Sequence, residues 1–441
     1  MPSQWTLGLS INVNGYLNRL FCVKSWNPSN LRKKYGEKML YIDLFAGCGG
    51  LSLGLYKAGL KGLFAVEKND IAFSTLKFNL IDRCNHFAWP DWLDVKNLDI
   101  NDLLRDKRKE LISLRNTVSL VVGGPPCQGF SLAGQRKTDD VRNQLMNSYI
   151  EFIKLVQPQM IFFENVHGFT IGFKSSTNPK IKGIPYSQKL VSALEEEGYS
   201  VAFRMITMAD YGVPQNRIRF ILFGIKNGNA EKFFERLENG RESFLRKKGY
   251  KGPVSIKDAI GDLEKKHGVV ESRDSKGFFN GIYGKIDTPY QKVMREHIAE
   301  KAIPDSHRFA NQRKETVELL KEIMEATKTS VRIAPEQNLV KGLKKRGITP
   351  LKPDTICPTI TSIPDDLIHY SEPRIMTVRE HARIQSFPDD FEFKGKYTTG
   401  GKARKLEVPR YTQVANAIPP IFAEQVGCVL SEVEQWRYEK N

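Results

Sequence analysis

The sequence has few cysteines, and none of them are arranged in pairs. Six cysteines are scattered over 441 residues without a CxxC spacing. A structural zinc site or a disulfide framework needs clustered or paired cysteines, so neither is indicated. This cysteine usage favours a protein of the reducing cytoplasm.

Long apolar runs are also missing. No segment approaches the roughly 18 consecutive apolar residues of a membrane span. The first 20 residues lack the basic stretch followed by an apolar stretch that marks a secretory signal. The sequence contains no internal repeat or low-complexity tract. We therefore expect a globular protein with no membrane partner, long enough for one large domain and a smaller one.

Positive charge is present in excess. Lysine and arginine total 67 against 50 acidic residues, which gives a net charge of +17. Such an excess attracts polyanions, and nucleic acid is the common example. A basic protein without such a partner explains the charge equally well.

Short apolar runs alternate with helix-length segments from residue 40 onward. Each run is typical of a buried parallel strand. The alternation of strand, loop and helix predicts a doubly wound α/β domain that binds ligands at the carboxyl ends of its strands. The predicted strands are Leu40–Phe45, Leu63–Val66, Val118–Val122, Met160–Phe163 and Ile218–Phe223, and a helix follows the spacing of Leu145, Tyr149, Ile153 and Val156.

The alternation of predicted strands and helices ends after Gly224, where charged residues become more frequent and glycine and proline interrupt the apolar pattern. It returns as a helical period that begins at Pro419. We predict four parts: an extension over residues 1–38, an α/β domain over 39–235, a smaller irregular domain over 236–404, and a segment over 405–441 that returns to the α/β domain.

A glycine-rich turn follows the first predicted strand. The sequence DLFAGCGG begins at Asp43 and leads into a helix near Leu51, and its glycines allow a cofactor to approach the backbone closely. Ser52 stands where the third glycine of the dinucleotide fingerprint would fall, which favours a ligand without a pyrophosphate. Glu67 ends the next strand, where an acid can hold ribose hydroxyls; the alternative is a solvated carboxylate at a strand end.

The segment GGPPCQGFS, residues 123–131, follows another predicted strand and presents Cys127 on a loop at the carboxyl edge of the sheet. A cysteine is more often a small buried apolar residue than a nucleophile. Glycine and proline on both sides disfavour burial, so this pattern favours a reactive thiol.

Two further polar segments follow the next strands. Glu164, in the sequence ENV, ends the strand after Cys127 and should face the same cavity. Burial would raise its pKa toward that of a proton donor, or the carboxylate could be ion-paired with an arginine. In QNRIR, alternation places Arg217 and Arg219 on one face of a strand, where they could hold a carbonyl oxygen, a carboxylate or a phosphate.

Taken in order, these segments resemble the motifs of the DNA (cytosine-5)-methyltransferase family. DLFAGCGGLSLGL is similar to its cofactor loop, Glu67 to its ribose-binding acid, and GGPPCQGFS to its nucleophile loop. ENV resembles its glutamate motif and QNRIR its paired-arginine motif. Residues 379–388 resemble the motif that orders the recognition domain, and residues 413–419 the last motif. The combination of these motifs in this order is specific for the family, although no single motif is.

The resemblance implies an S-adenosyl-L-methionine-dependent, Rossmann-like enzyme that methylates C5 of a cytosine flipped out of double-stranded DNA. It makes Cys127 the nucleophile that adds to C6, Glu164 the contact of N3, and Arg217 or Arg219 the contact of O2. Gln128, Gly129 and Ser131 would form the loop around the base. The implied cofactor-binding residues are Phe45, Ala46, Gly47, Gly49, Gly50, Glu67, Asp99, Ile100, Pro125, Asn416 and Ala417. Asp94 is the alternative to Asp99, which precedes a helix as in the family.

The resemblance also assigns roles to the predicted parts. Residues 39–235 would be catalytic and cofactor-binding, and residues 236–404 would read the DNA sequence. The compact length suggests a prokaryotic or phage enzyme of a restriction-modification system, acting as a monomer without a metal in the cytoplasm or nucleoid. Three alternatives are weighed against it: RNA cytosine methylation, disfavoured by the long recognition region; a nucleotide-binding oxidoreductase; and a DNA-binding regulator with a degenerate enzyme domain.

Overall fold

A computed structural model describes residues 39–115, 117–126, 141–172, 183–327, 330–334, 347–399 and 407–436. The predicted extension over residues 1–38 lies outside this range, as do Cys127, Gln128, Gly129 and Ser131. None of the helices in the described ranges combines the length and hydrophobicity needed to cross a bilayer.

A six-stranded sheet forms the centre of the first part of the chain, with strand order β2-β1-β3-β4-β7-β5. The strand β1 pairs in parallel with both β2 and β3, and β3 pairs in parallel with β4. The chain therefore turns to opposite sides after β1, and the carboxyl ends of β1 and β3 frame a crevice that commonly binds ligands in such folds. The strands are β1 Leu40–Leu44, β2 Lys61–Val66, β3 Leu120–Gly123, β4 Met160–Val166, β5 Ser200–Thr207 and, after the short β6 Gln215–Asn216, β7 Ile218–Ile225.

Helices cover both faces of this sheet. Neighbouring residues of β4 point to opposite layers: Phe162 packs in one apolar cluster and Phe163 in the other. This is the burial of a central strand in a doubly wound fold. The helices of this part are α1 Gly50–Lys57, α2 Asp70–Leu76, α3 Ile100–Asp106, α4 Arg108–Ser113, α5 Val141–Val156, α6 Tyr186–Glu196 and α7 Glu231–Lys247, and a π-helical segment, Lys77–Arg83, extends α2.

One strand runs opposite to its expected direction. The run Ile218–Phe223 was predicted as a parallel strand, but β7 is antiparallel to both β4 and β5. The physical reason is the short connection over residues 208–217, because a parallel crossover needs a dozen or more residues. The strand β5 was not predicted at all; it is the edge strand, and Phe203, Arg204 and Met205 are exposed.

The second part of the chain has short elements, and buried charges hold it together. Arg383 donates to Asp389 Oδ1 at 2.5 Å and to Asp262 Oδ1 at 3.1 Å, and all three side chains are fully buried. Removing one partner of a buried ion pair typically costs about 3–5 kcal/mol. The predicted boundaries at 236 and 404 stay predictions. The elements are α8 Ile256–Ile260, β8 Val269–Glu271, β9 Phe279–Gly281, α9 Pro289–Met294, α10 Lys314–Glu325, β10 Thr349–Pro350, β11 Cys357–Pro358, β12 Leu367–Ile368 and α11 Val378–Ile384.

The end of the described chain returns to the first helix. After α12, Arg410–Asn416, the helix α13 spans Pro420–Ser431 with Pro419 as its N-cap, so the predicted helical period is confirmed; α14, Val433–Trp436, follows. The contact of α13 with α1 is close, since a Cβ on Gly54 would lie 2.3 Å from Ala423 Cβ. Only glycine fits at Gly54.

Candidate active site

A cavity of about 320 Å³ opens at the carboxyl ends of β1 to β4. This is the crevice that the strand order predicts. Its walls come from segments that are far apart in the sequence: residues 43, 45–48, 51, 66–68, 72, 98–100, 123–126, 145, 164–166, 217, 219, 408, 413 and 415–418.

The glycine-rich turn forms one wall. Its backbone adopts the left-handed region at Phe45 (φ 59°), Gly47 (φ 57°) and Gly49 (φ 94°), which turns the chain sharply from β1 into α1. Phe45, Ala46 and Gly47 line the cavity, but Gly49 and Gly50 do not. Gly50 instead allows the C-terminal segment to pack behind the wall, because a Cβ there would lie 2.5 Å from the carbonyl oxygen of Ile418.

Glu67 lies beside this turn, directly after β2. Its carboxylate accepts hydrogen bonds from the backbone N–H groups of Gly47 at 2.9 Å and Asn69 at 2.7 Å. Burial raises the pKa of Glu67 above its usual value, and the two N–H donors oppose this shift. The carboxylate is therefore held in a fixed orientation on the cavity wall, which a merely solvated strand-end carboxylate would not be.

Asp43 forms the floor of the cavity and was not among the predicted site residues. The Ser52 hydroxyl donates to Asp43 Oδ2 at 2.5 Å, whereas Oδ1 has no hydrogen-bond partner within the described ranges. Burial, reinforced by the charge of Glu67, raises the pKa of Asp43 to about 7 against the effect of the Ser52 hydrogen bond. Ser52, which breaks the dinucleotide fingerprint, thus holds a buried carboxyl group at the cavity through one of its two oxygens.

The structure separates the two candidate aspartates of the adenine contact. Asp99 lines the cavity, caps α3 through the N–H of Asn101 at 2.8 Å, and forms an ion pair with Lys68 at 2.8 Å. Burial works to raise the pKa of Asp99, but Lys68 and the Asn101 N–H lower it below its usual value. Asp94 is exposed, pairs with Lys96 and lies outside the cavity wall, whereas Ile100 belongs to it.

The segment that leads to Cys127 follows β3, the strand that pairs with β1 and so lies beside the start of the glycine-rich turn. Gly124 packs against the next strand so closely that a Cβ there would lie 2.0 Å from the Glu164 carbonyl oxygen. The buried Asn165 side chain donates to the Pro125 carbonyl oxygen at 3.1 Å. Pro125 and Pro126 line the cavity, so the described chain reaches this wall immediately before Cys127.

Glu164 and the two arginines complete this side. Glu164 Oε1 lies 3.0 Å from Arg219 Nε, so the ion pair that the sequence left as an alternative is present. Arg217 precedes β7 rather than lying within it, and its Nη2 donates to the Ala417 carbonyl oxygen at 3.3 Å. All three line the cavity, as do Asn416 and Ala417. A carboxyl group accepts hydrogen bonds when ionised and can donate one when protonated, whereas the two guanidinium groups can only donate, so together they suit a polar ring.

The doubly wound sheet and the acid-lined cavity at its switch point define a Rossmann-like α/β enzyme. A family model described as C-5 cytosine-specific DNA methylase matches residues 39–432, and the chain belongs to this family. The family expected from the motifs is therefore confirmed, and with it a methyltransferase that acts on cytosine C5 of DNA. The family match argues against the RNA methyltransferase and oxidoreductase alternatives.

Relatives and solved structures agree with this assignment. The chain is 30% identical over 411 residues to Type II methyltransferase M.XorII of Xanthomonas oryzae pv. oryzae, covering 90% of this chain and 86% of the relative. It is 31% identical over 413 residues to Type II methyltransferase M.DdeI of Desulfomicrobium norvegicum, covering 91% and 89%. The fold matches that of a prophage-encoded DNA modification methyltransferase from E. coli, with a TM-score of 0.60, 24% identity, and coverage of 90% of this chain and 100% of the other.

Proposed function

We propose that this chain transfers a methyl group from S-adenosyl-L-methionine to C5 of a cytosine flipped out of duplex DNA, with Cys127 as the nucleophile. One observation carries the proposal: the Glu164–Arg219 pair and the Pro125–Pro126 segment open onto the same cavity as Glu67 and Asp99. Groups suited to a pyrimidine and groups suited to an adenosine therefore share one space.

The residues of the cavity fit this cofactor, which supplies an electrophilic methyl group on a sulfonium cation. Glu67 would hold the ribose hydroxyls and Asp99 the adenine amino group, with Phe45 and Ile100 beside the ring. The unpartnered Oδ1 of Asp43 is suited to the positive charge of the ligand, because a buried carboxylate oxygen gains most from a cationic or donor partner. The remaining contacts would come from Ala46, Gly47, Pro125, Asn416 and Ala417.

The chemistry requires a nucleophile because cytosine C5 alone is too electron-poor to accept a methyl group. Addition of the Cys127 thiolate to C6 makes C5 nucleophilic and moves electron density toward N3 and O2. Glu164 in its protonated form would donate its proton to N3 and take it back after C5 has been methylated, and Arg219 or Arg217 would donate hydrogen bonds to O2. After C5 has been methylated, a base removes the C5 proton, the ring double bond re-forms, and Cys127 leaves as a thiolate.

The target lies in a stacked duplex, so the base must be extruded before C6 can be attacked. Gln128, Gly129 and Ser131 would close around it, and residues 236–404 would read the flanking bases in the major groove. The net charge of +17 favours the accompanying phosphate contacts. Like the relatives named type II methyltransferases, the protein would act as the modification enzyme of a restriction-modification system, as a monomer.

Tritium transfer from labelled S-adenosyl-L-methionine to duplex DNA tests the nucleophile. We expect Cys127→Ser to lose at least about a thousandfold in rate while it still binds DNA and cofactor, because a hydroxyl is a far weaker nucleophile than a thiolate. The control is Cys428→Ser, on α13 away from the cavity, which should keep full activity. Undiminished transfer by Cys127→Ser would refute the assignment. Bisulfite sequencing of host DNA then identifies the modified base and its context.

A further inference from the structure

Two glutamines meet in the interior, between the cavity and the second part of the chain. Gln215 lies on β6 and Gln385 follows α11, and both side chains are fully buried. Gln215 Nε2 donates to Gln385 Oε1 at 2.6 Å. Buried amides must satisfy both their donors and their acceptors, so the Oε1 atom of Gln215 and the Nε2 atom of Gln385 also need hydrogen-bond partners.

Backbone groups at both ends fix the direction of the hydrogen bonds. The Ile360 N–H can only donate, and it reaches Gln215 Oε1 at 3.1 Å. The amide nitrogen of Gln215 must then face Gln385, which accepts through Oε1 and turns its own Nε2 to the Ala417 carbonyl oxygen. A carbonyl oxygen can only accept, so the order from Ile360 to Ala417 is unique and leaves no amide flip open.

The pair joins two regions with different roles. Ile360 lies in the predicted recognition region, residues 236–404, shortly after β11, and β11 pairs in parallel with β6. At the other end, Ala417 lines the cavity, and its carbonyl oxygen also accepts from Arg217 Nη2 at 3.3 Å. One carbonyl oxygen is therefore held between the side chain of Gln385 and that of Arg217, which also lines the cavity.

The chain after Gln385 is fixed as well. Ser386 adopts a left-handed conformation, φ 64°, which non-glycine residues rarely occupy. Its hydroxyl accepts the N–H of Ile421 at 3.2 Å, and this ties the end of α11 to the first turn of α13. Gln385 is thus fixed through its side chain by Gln215 and through the following residue by the hydrogen bond of Ser386.

We propose that the Gln215–Gln385 pair is a positioning device for Arg217: it holds the Ala417 carbonyl oxygen in place and thereby sets the guanidinium group relative to the cytosine. The inference rests on the proposed function, since it assumes that a base occupies this side of the cavity. A displacement of about 1 Å at a reacting site can lower the rate a hundredfold. A shift of the Ala417 carbonyl group should therefore lower kcat measurably.

Methionine substitutions test this, because methionine keeps most of the volume of glutamine and removes its hydrogen bonds. We expect Gln385→Met and Gln215→Met each to lower kcat about tenfold or more, with the dissociation constant for S-adenosyl-L-methionine, measured by calorimetry, changed less than threefold. The double variant should be no worse than the poorer single variant, because the two residues act as one unit. The matched control is Gln425→Met, a buried glutamine on α13 that donates to the Tyr211 carbonyl oxygen at 2.9 Å and lies outside the cavity wall.

Several outcomes would overturn the inference: a folded Gln385→Met protein with kcat within twofold of the wild type, equal losses in Gln425→Met, or losses that multiply in the double variant. A weaker affinity for S-adenosyl-L-methionine with unchanged kcat would also overturn the inference, because the pair would then support cofactor binding rather than the position of Arg217. The wild-type protein separates this from the proposed function. Absence of methyl transfer by the wild type contradicts the proposed function, whereas normal transfer with an insensitive Gln385 contradicts the positioning role alone.

Discussion

Glu164 on β4 and Arg219 on β7 are diagonal neighbours on the same face of two antiparallel strands. Glu164 stands opposite Ile221 and Arg219 opposite Val166, which brings Glu164 Oε1 within 3.0 Å of Arg219 Nε. Their side chains are only 16% and 11% exposed, so solvent screens the pair weakly. The reversed direction of β7 is what places this guanidinium group at the same cavity as the carboxylate.

Removing this arginine should impair turnover strongly. In Arg219→Ala the carboxylate of Glu164 loses its counter-charge, and the developing charge on the ring loses a donor. By comparison with single donors in other active sites, we expect kcat to fall on the order of 10²–10³-fold. Initial rates of tritium transfer measure this. Arg204→Ala, which removes an exposed ion pair with Glu231 between β5 and α7, should leave kcat unchanged; a comparable loss there would contradict the argument.

Asn165 should matter for rate as well as for stability. Asn165→Ala leaves the Pro125 carbonyl oxygen without its donor, which typically costs about 1–3 kcal/mol, and loosens the segment that precedes Cys127. We expect roughly tenfold slower methyl transfer under single-turnover conditions. The control is Asn79→Ala, which removes buried hydrogen bonds to Thr75 and Glu392 outside the cavity. It should cost similar stability without the kinetic effect; equal slowing in both variants would count against a specific role.

The two aspartates offer a direct comparison of cofactor binding. Asp99→Ala should weaken binding of S-adenosyl-L-methionine about tenfold, because a hydrogen-bond acceptor on the cavity wall is lost, and tenfold corresponds to about 1.4 kcal/mol. Asp94→Ala should leave the affinity unchanged, since this carboxylate is exposed and pairs with Lys96. Isothermal titration calorimetry of both variants measures the difference. The reverse pattern would assign the adenine contact to Asp94.

Asp43 should make folding stability depend on pH. Burial raises its pKa from 3.8 to about 7, so between these values the folded chain keeps a proton that the unfolded chain releases. The contribution of Asp43 is therefore fully present below about pH 4 and is lost as the pH rises through 7, with a total on the order of 4 kcal/mol.

In Asp43→Asn the side chain does not titrate in this pH range. The free energy of unfolding of the wild type, relative to that of the variant, should therefore fall as the pH rises from 4 to 7. Denaturant unfolding of both proteins without cofactor at several pH values measures this. Two titratable groups that interact with Asp43, Glu67 and Tyr41, are present in both proteins, and burial together with the charge of Asp43 raises the pKa of Tyr41 well above this pH range. Parallel stability curves would show that the carboxyl group of Asp43 is not held as the structure indicates.

Much of the architecture could be predicted from periodicity. The buried runs that became β1 to β4 are continuous apolar segments, and such segments have few alternatives in an α/β protein. The strand β5 could not be predicted in this way because it lies at the edge of the sheet. Exposed residues such as Arg204 therefore interrupt its apolar run. The direction of β7 depends on the strand that precedes it, so missing β5 also led to the wrong direction for β7.

The motifs predicted most of the residues that the structure brings to the cavity, but not how they are held. Asp43 is not among the predicted site residues because its role depends on its burial and on the hydrogen bond from Ser52, and a glycine-rich motif specifies neither. Gly49 and Gly50 belong to the same motif, yet they shape the turn and the packing behind the wall rather than the wall itself. The contact between Gln215 and Gln385 joins residues far apart in the sequence, and no local pattern specifies it.

The glycine-rich turn emerges early from the ribosome, but residues 408, 413 and 415–418, which also line its cavity, are made only after the whole six-stranded sheet and the second part of the chain. A nascent chain that ends at residue 399 would already contain every strand of the sheet and still present an open groove. Translation therefore completes this cavity only when the polypeptide is almost finished, and we expect fragments truncated in that interval to lack methyl transfer to DNA.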